Sequence, residues 1–224
     1  QSDSGTRGYE YEPHYVHVYN HDGSLRWSKA TNDEYYQPYH VPTVGDLDGD
    51  GDLEILVNGP LAEDDTKGIH AFHHDGTPVG GNWPVELLVY DNRMLVADVD
   101  IDGKPEVVAL SGDVYAVGNN YRSQLNIIEE DGAIKKTIVV PMDSWEHIHP
   151  DAYPAVGNFD ADPQLEIVTN FGAATKVAVY NINGTYVAKF PKALPVRHVH
   201  RSPVIDYLYR TVSVGFLVVG TMDY

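Results

Sequence analysis

A glycine preceded by Asp or Asn recurs at four places, Asp22-Gly23, Asp75-Gly76, Asp131-Gly132 and Asn183-Gly184, with the glycines 53, 56 and 52 residues apart. A period of that size means that one supersecondary unit is built several times over, each copy burying its apolar face against the next. Apolar stretches lead into every dipeptide: Tyr15 to Tyr19, Ile69 to Phe72, Leu125 to Ile128 and Val177 to Tyr180. Strand-forming residues on either side of a pair that tolerates positive φ read as a β-hairpin.

Between the hairpins lies a second recurring unit, two short apolar strands joined by an acidic loop. The acidic loops occupy 46–54, 98–106 and 158–166, with a degenerate copy at 206–214. Each is entered from an apolar segment (Pro42 to Gly45, Leu95 to Ala97, Pro154 to Gly157, Pro203 to Ile205) and left through another (Ile55 to Val57, Val107 to Ala109, Ile167 to Val168, Phe216 to Val219). One period therefore holds about four strands in ~53 residues, the size of a propeller blade. No stretch carries a helical period over 10 or more residues, and the many Val, Ile and Tyr residues favour strands. The predicted fold is all-β: a β-propeller of four-stranded blades, with residues 1–224 forming a single domain or segment of four repeats. Because the chain begins with a hairpin and ends with an acidic-loop half, the first hairpin can complete the last blade and close a four-blade ring without free edges. The competing arrangement is an arc of a larger ring with two open edges.

Composition narrows the partners. Lys+Arg 15 against Asp+Glu 33 gives a formal net charge of −18, so nucleic acid or an anionic membrane would be bound against the field of the whole chain. No apolar run approaches the ~18–20 residues of a membrane span, and no secretory leader pattern is present at the amino end. The first residue is Gln1 rather than Met, so a processed or excised segment is expected. The absence of cysteine excludes disulfides, thiolate zinc sites and cysteine nucleophiles.

The acidic loops have the composition of calcium sites. In the first, Asp46, Asp48, Asp50 and Glu54 fall at positions 1, 3, 5 and 9, Gly51 at position 6, and Asp52 at position 7 offers its backbone carbonyl. Clustered carboxylates plus a carbonyl suit Ca²⁺, which takes 6–8 oxygens at ~2.3–2.6 Å. The second repeats the pattern with Asp98, Asp100, Asp102, Gly103, the carbonyl of Lys104, and Glu106. The third has Asn158, Asp160, Asp162, Gln164 and Glu166, but Pro163 replaces the glycine, so its site is expected to be weaker or differently shaped. The fourth keeps only Asp206 and is expected to hold no ion. An EF-hand is excluded because position 12 of the first loop is Val57, in a strand, and flanking helices are lacking. His73-His74, just before a turn, reads as solvated.

These residues resemble the FG-GAP/VCBS repeat family, whose copies run small-Pro-Ala-Val-x-Asp-x-Asp-Gly-Asp-Gly-x-x-Glu-Ile-Val, then a strand, an Asp-Gly turn and a Trp. Here the matching stretch is Val41 to Val57, the Asp75-Gly76 turn and Trp83, and Trp27 follows the first turn in the same way. The likeness extends from about Tyr15 to Gly220. It implies a calcium-binding β-propeller similar to the integrin α-subunit head, certain secreted lectins and certain secreted polysaccharide lyases. It further implies calcium loops on one face, ligand surfaces opposite, and a secreted, extracellular or periplasmic setting.

On that opposite face lie the segments leading into the innermost strands, and they are rich in aromatic and basic residues. Tyr39 and His40 precede the first copy, Arg93 the second, Trp145, His147 and His149 the third, and Arg197, His198 and His200 the fourth. Three readings compete for them. The side chains plug a narrow channel; or they recognise a carbohydrate or an extracellular protein, rings stacking on the ligand while Arg and His hold acidic groups; or they form a catalytic or transition-metal site. In the catalytic version His40, His149, His198 or His200 acts with Tyr39, Arg93 or Arg197 in β-elimination of a uronate polymer. A calcium-stabilised binding or adhesion module is the leading function, a polysaccharide lyase the runner-up. The third reading is a structural subunit that forms homo-oligomers or filaments through open sheet edges.

Overall fold

The computed structural model describes residues 15–30, 41–61, 66–87, 93–112, 123–140, 153–160, 162–171, 176–193, 204–206 and 216–218. Among these residues every regular element is a strand. Strands β1 (Tyr15–Tyr19) and β2 (Leu25–Ala30) form a two-stranded sheet. Three four-stranded sheets follow: β3 (Thr43–Gly45), β4 (Glu54–Pro60), β5 (Lys67–Phe72) and β6 (Val85–Glu86); then β7 (Arg93–Ala97), β8 (Glu106–Gly112), β9 (Ser123–Ile128) and β10 (Ile134–Val140); then β11 (Ala155–Gly157), β12 (Glu166–Phe171), β13 (Lys176–Tyr180) and β14 (Lys192–Ala193). Finally β15 (Val204–Asp206) pairs with β16 (Phe216–Val218). Every pairing is antiparallel between chain neighbours, so each four-stranded sheet is a meander.

The predicted hairpins form around all four turns. Gly23, Gly76, Gly132 and Gly184 have φ of 83, 87, 86 and 90°, the left-handed region that an L side chain resists. Each turn is also tied by its own side chain: the N–H two residues after Asp22, Asp75, Asp131 and Asn183 donates to that residue's Oδ1 at 2.8–2.9 Å.

Burial differs along the stack. Strand β1 alternates as expected, with Tyr15 and Tyr19 51 and 60% exposed. Strand β9 instead buries Leu125 through Ile128 without interruption, because its sheet is covered on both faces. One cluster joins Leu56, Ile69 and Trp83 to Val107, Ala109 and Ile128 of the next sheet. Another joins Leu110, Leu125 and Ile138 to Ile167, Ala178 and Tyr180 of the one after. Each fully buried aliphatic side chain is worth about 1.5–3 kcal/mol, so these seams hold successive sheets face to face.

Tryptophans lock the same seams. Trp27 Nε1 donates to the carbonyl of His74 at 3.0 Å, and Trp83 Nε1 to that of Glu130 at 2.9 Å, each reaching the turn of the following sheet. A Cβ on Gly76 would stand 3.0 Å from the Trp27 ring, so that glycine serves both the turn and the packing. The first strands of neighbouring sheets also meet, β3 against β7 and β11 against β15. Thr43 Oγ1 donates to the Met94 carbonyl at 3.2 Å, and a Cβ on Gly45 would lie 2.6 Å from Val96 Cβ.

The acidic segments join the first and second strands in one register: Gly45 opposite Glu54, Ala97 opposite Glu106, Gly157 opposite Glu166. The last pair departs from it. Asp206 lies within β15 opposite Phe216, so the connection runs over 207–215 rather than 206–214, and the fourth copy is offset from the other three.

Candidate metal centres in the acidic loops

Three loops share one build, which starts from a buried glutamate. Glu54, Glu106 and Glu166 are only 1, 0 and 1% exposed, because each opens a strand that lies inside the stack. Their Oε2 atoms accept the backbone N–H of the second loop residue: Leu47 at 2.7 Å, Val99 at 2.9 Å, and Phe159. The sequence treats this glutamate wholly as an ion ligand, whereas the fold spends one oxygen closing the loop and leaves Oε1 for a cation. Burial pushes the Glu106 and Glu166 carboxyls above their ordinary range, against the pull of those N–H bonds.

The aspartates converge in the same way. One carboxylate oxygen each from Asp46, Asp48 and Asp50 lies within 4.8 Å of the others, as do Asp98, Asp100 and Glu106, and Asp160, Asp162 and Glu166. That span is about twice a Ca–O bond, so a single ion at the centre would reach all three. Backbone N–H groups inside each loop orient them, Gly51 donating to Asp46 Oδ2 at 3.2 Å and Gly103 to Asp98 Oδ2 at 3.0 Å. Pro163 stands at that place in the third loop and has no N–H to give. Asn158, at position 1 there, turns its Nδ2 to the Asp162 carbonyl at 2.6 Å, so a donor points where the other loops present a carboxylate.

Loop 46–54 passes a test of fit to a hard cation. Asp46 Oδ1 is buried and has no hydrogen-bond partner, a condition that costs free energy unless a cation faces it. Asp46, Asp48, Asp50, the Asp52 carbonyl and Glu54 Oε1 would hold such an ion. In loop 98–106 the corresponding atom is satisfied: Asp98 Oδ1 accepts the Asp102 N–H at 3.1 Å.

The following hairpin faces the first two loops. The register that sets Ile55 opposite Phe72 brings His73 beside Glu54, Nδ1 to Oε1 3.2 Å, with Asp48 Oδ2 at 3.9 Å. His74 Nδ1 stands 3.4 Å from Asp52 Oδ2. These imidazoles therefore line the acidic loop, correcting their reading as merely solvated. In the next sheet the corresponding residues are Glu129 and Glu130, and the charges are exchanged: Glu130 pairs with Lys104, and Glu129 with Lys135 at 3.0 Å. Lys135 Nζ also donates to Asp100 Oδ2 at 2.5 Å and Glu106 Oε1 at 3.2 Å. Burial opposes its charge, yet these three carboxylates hold the ammonium well above its ordinary range.

His73, His74, Glu129, Glu130 and Lys135 were missed as neighbours of the loops. Extending each predicted hairpin ladder by two residues past its strand would have found the first four.

Of the aromatic and basic residues proposed for the opposite face, Arg93 is described. It opens β7, is 8% exposed, and its guanidinium lies 5.4 Å from the Tyr153 ring centroid, an inter-sheet packing contact. Tyr39, His40, Trp145, His147, His149, Arg197, His198 and His200 lie outside the described residues.

No family model and no curated protein matches the chain.

Proposed function

We propose that the chain is a calcium-stabilised β-propeller acting as a binding or adhesion module for carbohydrate or protein in a secreted, extracellular or periplasmic setting. The observation that carries this reading is one loop build repeated three times between the first and second strands of stacked sheets, the first copy holding the buried, unpartnered Asp46 oxygen. Calcium would supply charge neutralisation and cross-linking of the loop carboxylates, a structural task rather than acid–base chemistry. Face-to-face sheets whose first strands adjoin are what blades around an axis require. The two incomplete sheets are complementary halves, β1–β2 matching the third and fourth strands of a blade and β15–β16 the first and second. Joined, they would close a four-blade ring. The FG-GAP/VCBS resemblance supports the same architecture.

This reading assigns recognition to the face opposite the acidic loops, through Tyr39, His40, Trp145 and the His198–His200 segment. The test is binding of the full chain to glycan and extracellular-protein arrays, with calcium and with chelator. Binding lost in Tyr39→Ala or His200→Ala at unchanged melting temperature is the expected result. Turnover of acidic polysaccharides to unsaturated uronates, without stable binding, would replace it with the lyase.

A further inference from the structure

The second acidic loop carries its own cation. Lys135 is the extra residue of a β-bulge, for the register of β9 and β10 passes from Ile128–Ile134 directly to Ile127–Lys136. A bulge re-aims the side chain it inserts. The corresponding residues in the flanking sheets, three past the turn glycine, are Val79 and Val187, which pack against apolar clusters. In the β1–β2 hairpin Arg26 holds the same place and is likewise the extra residue of a bulge, whereas among the three four-stranded sheets it is the middle one whose residue there, Lys135, is charged, and it reaches two of the three carboxylates that converge at its loop. Its Nζ bonds Asp100 at 2.5 Å, Glu106 at 3.2 Å and Glu129 at 3.0 Å. The third, Asp98, has both oxygens bonded to backbone N–H groups.

We propose that the Lys135 ammonium is a built-in counter-ion that stands in for a divalent cation at loop 98–106, so that two loops with nearly the same ligands differ in calcium uptake. The proposal rests on the calcium reading of loop 46–54, which has an unpartnered carboxylate oxygen and, among the described residues, no lysine paired with it. An ion entering the second loop must first displace an ammonium held by three carboxylates. Ligand charge available to the ion sets calcium affinity, and Lys135 cancels part of it.

The experiment is calcium titration calorimetry, with bound calcium counted at equilibrium, on the full chain. Variants are Lys135→Val, Lys135→Arg, Asp100→Asn and Asp48→Asn. Lys135→Val should add one calcium per chain, or tighten an existing site by about tenfold or more, whereas Lys135→Arg should match the parent. Asp100→Asn should leave the parent's calcium count unchanged, which keeps the test valid even if Lys135→Val does not fold. Asp48→Asn should lower that count by one. If Asp100→Asn and Asp48→Asn each remove one tight site, the calcium reading stands and the Lys135 proposal is overturned. If neither the parent nor Lys135→Val takes up calcium, both are overturned.

Discussion

Loops 46–54 and 98–106 are nearly the same in acidic ligands and register, yet the fold treats them differently. The first leaves Asp46 Oδ1 without a partner and sets imidazoles beside it; the second satisfies Asp98 and inserts Lys135. They differ in strain as well. Position 4 is left-handed in both, Gly49 at φ 76° and Ile101 at φ 63°, and a β-branched residue resists that region. An acidic loop of this pattern is thus only half of a candidate ion site, the other half being what the neighbouring hairpin presents to it.

Calcium removal should separate the loops most. A site filled at 100 times its Kd contributes about 2.7 kcal/mol, so chelation should lower the melting temperature by about 5–11 °C. Asp48→Asn should abolish most of that calorimetric shift and Asp100→Asn little of it. Equal losses would erase the distinction.

Glu54→Ala and Glu106→Ala should each cost about 1–3 kcal/mol without calcium in denaturant unfolding, since each strands a buried backbone N–H. Added calcium should then widen the gap between parent and variant only for Glu54→Ala.

Exchanging the position-4 residues is the next smaller test. Ile101→Gly should stabilise by about 1 kcal/mol and Gly49→Ile destabilise by about 1–2 kcal/mol, read from denaturant midpoints. A neutral Ile101→Gly would mean that the second loop bears no backbone strain.

The smallest effect concerns the turns that carry the facing groups. The Thr77 hydroxyl and then its N–H hold the Asp75 carboxyl below its ordinary 3.8. A lowered folded value means that the stabilisation is fully present above 3.8 and is lost as pH falls through that lower value. Asp75→Asn keeps the acceptor but cannot titrate, so its melting temperature should fall slightly less on acidification than the parent's.

Much of this was legible in the residues. The four turns, the strands beside them and the three loops follow from short-range rules, period-2 patterning and glycine's access to positive φ. The offset fourth copy was not legible, because nothing local in 206–214 reveals that Asp206 pairs with Phe216. The unbroken burial of β9 was equally hidden, since coverage of its second face depends on the next sheet.

An all-β chain of repeated hairpins and acidic loops is readable from the residues alone, because those features arise within about ten residues of one another. Strand pairing in three dimensions settles which side chain faces each of these two loops. Glu54 and His73 are 19 residues apart, and Glu106 and Lys135 are 29 apart. Ladder register joins the first pair, and a single inserted residue turns Lys135 toward the second. Such placement depends on which strands pair and where one of them bulges, and a local pattern does not encode it.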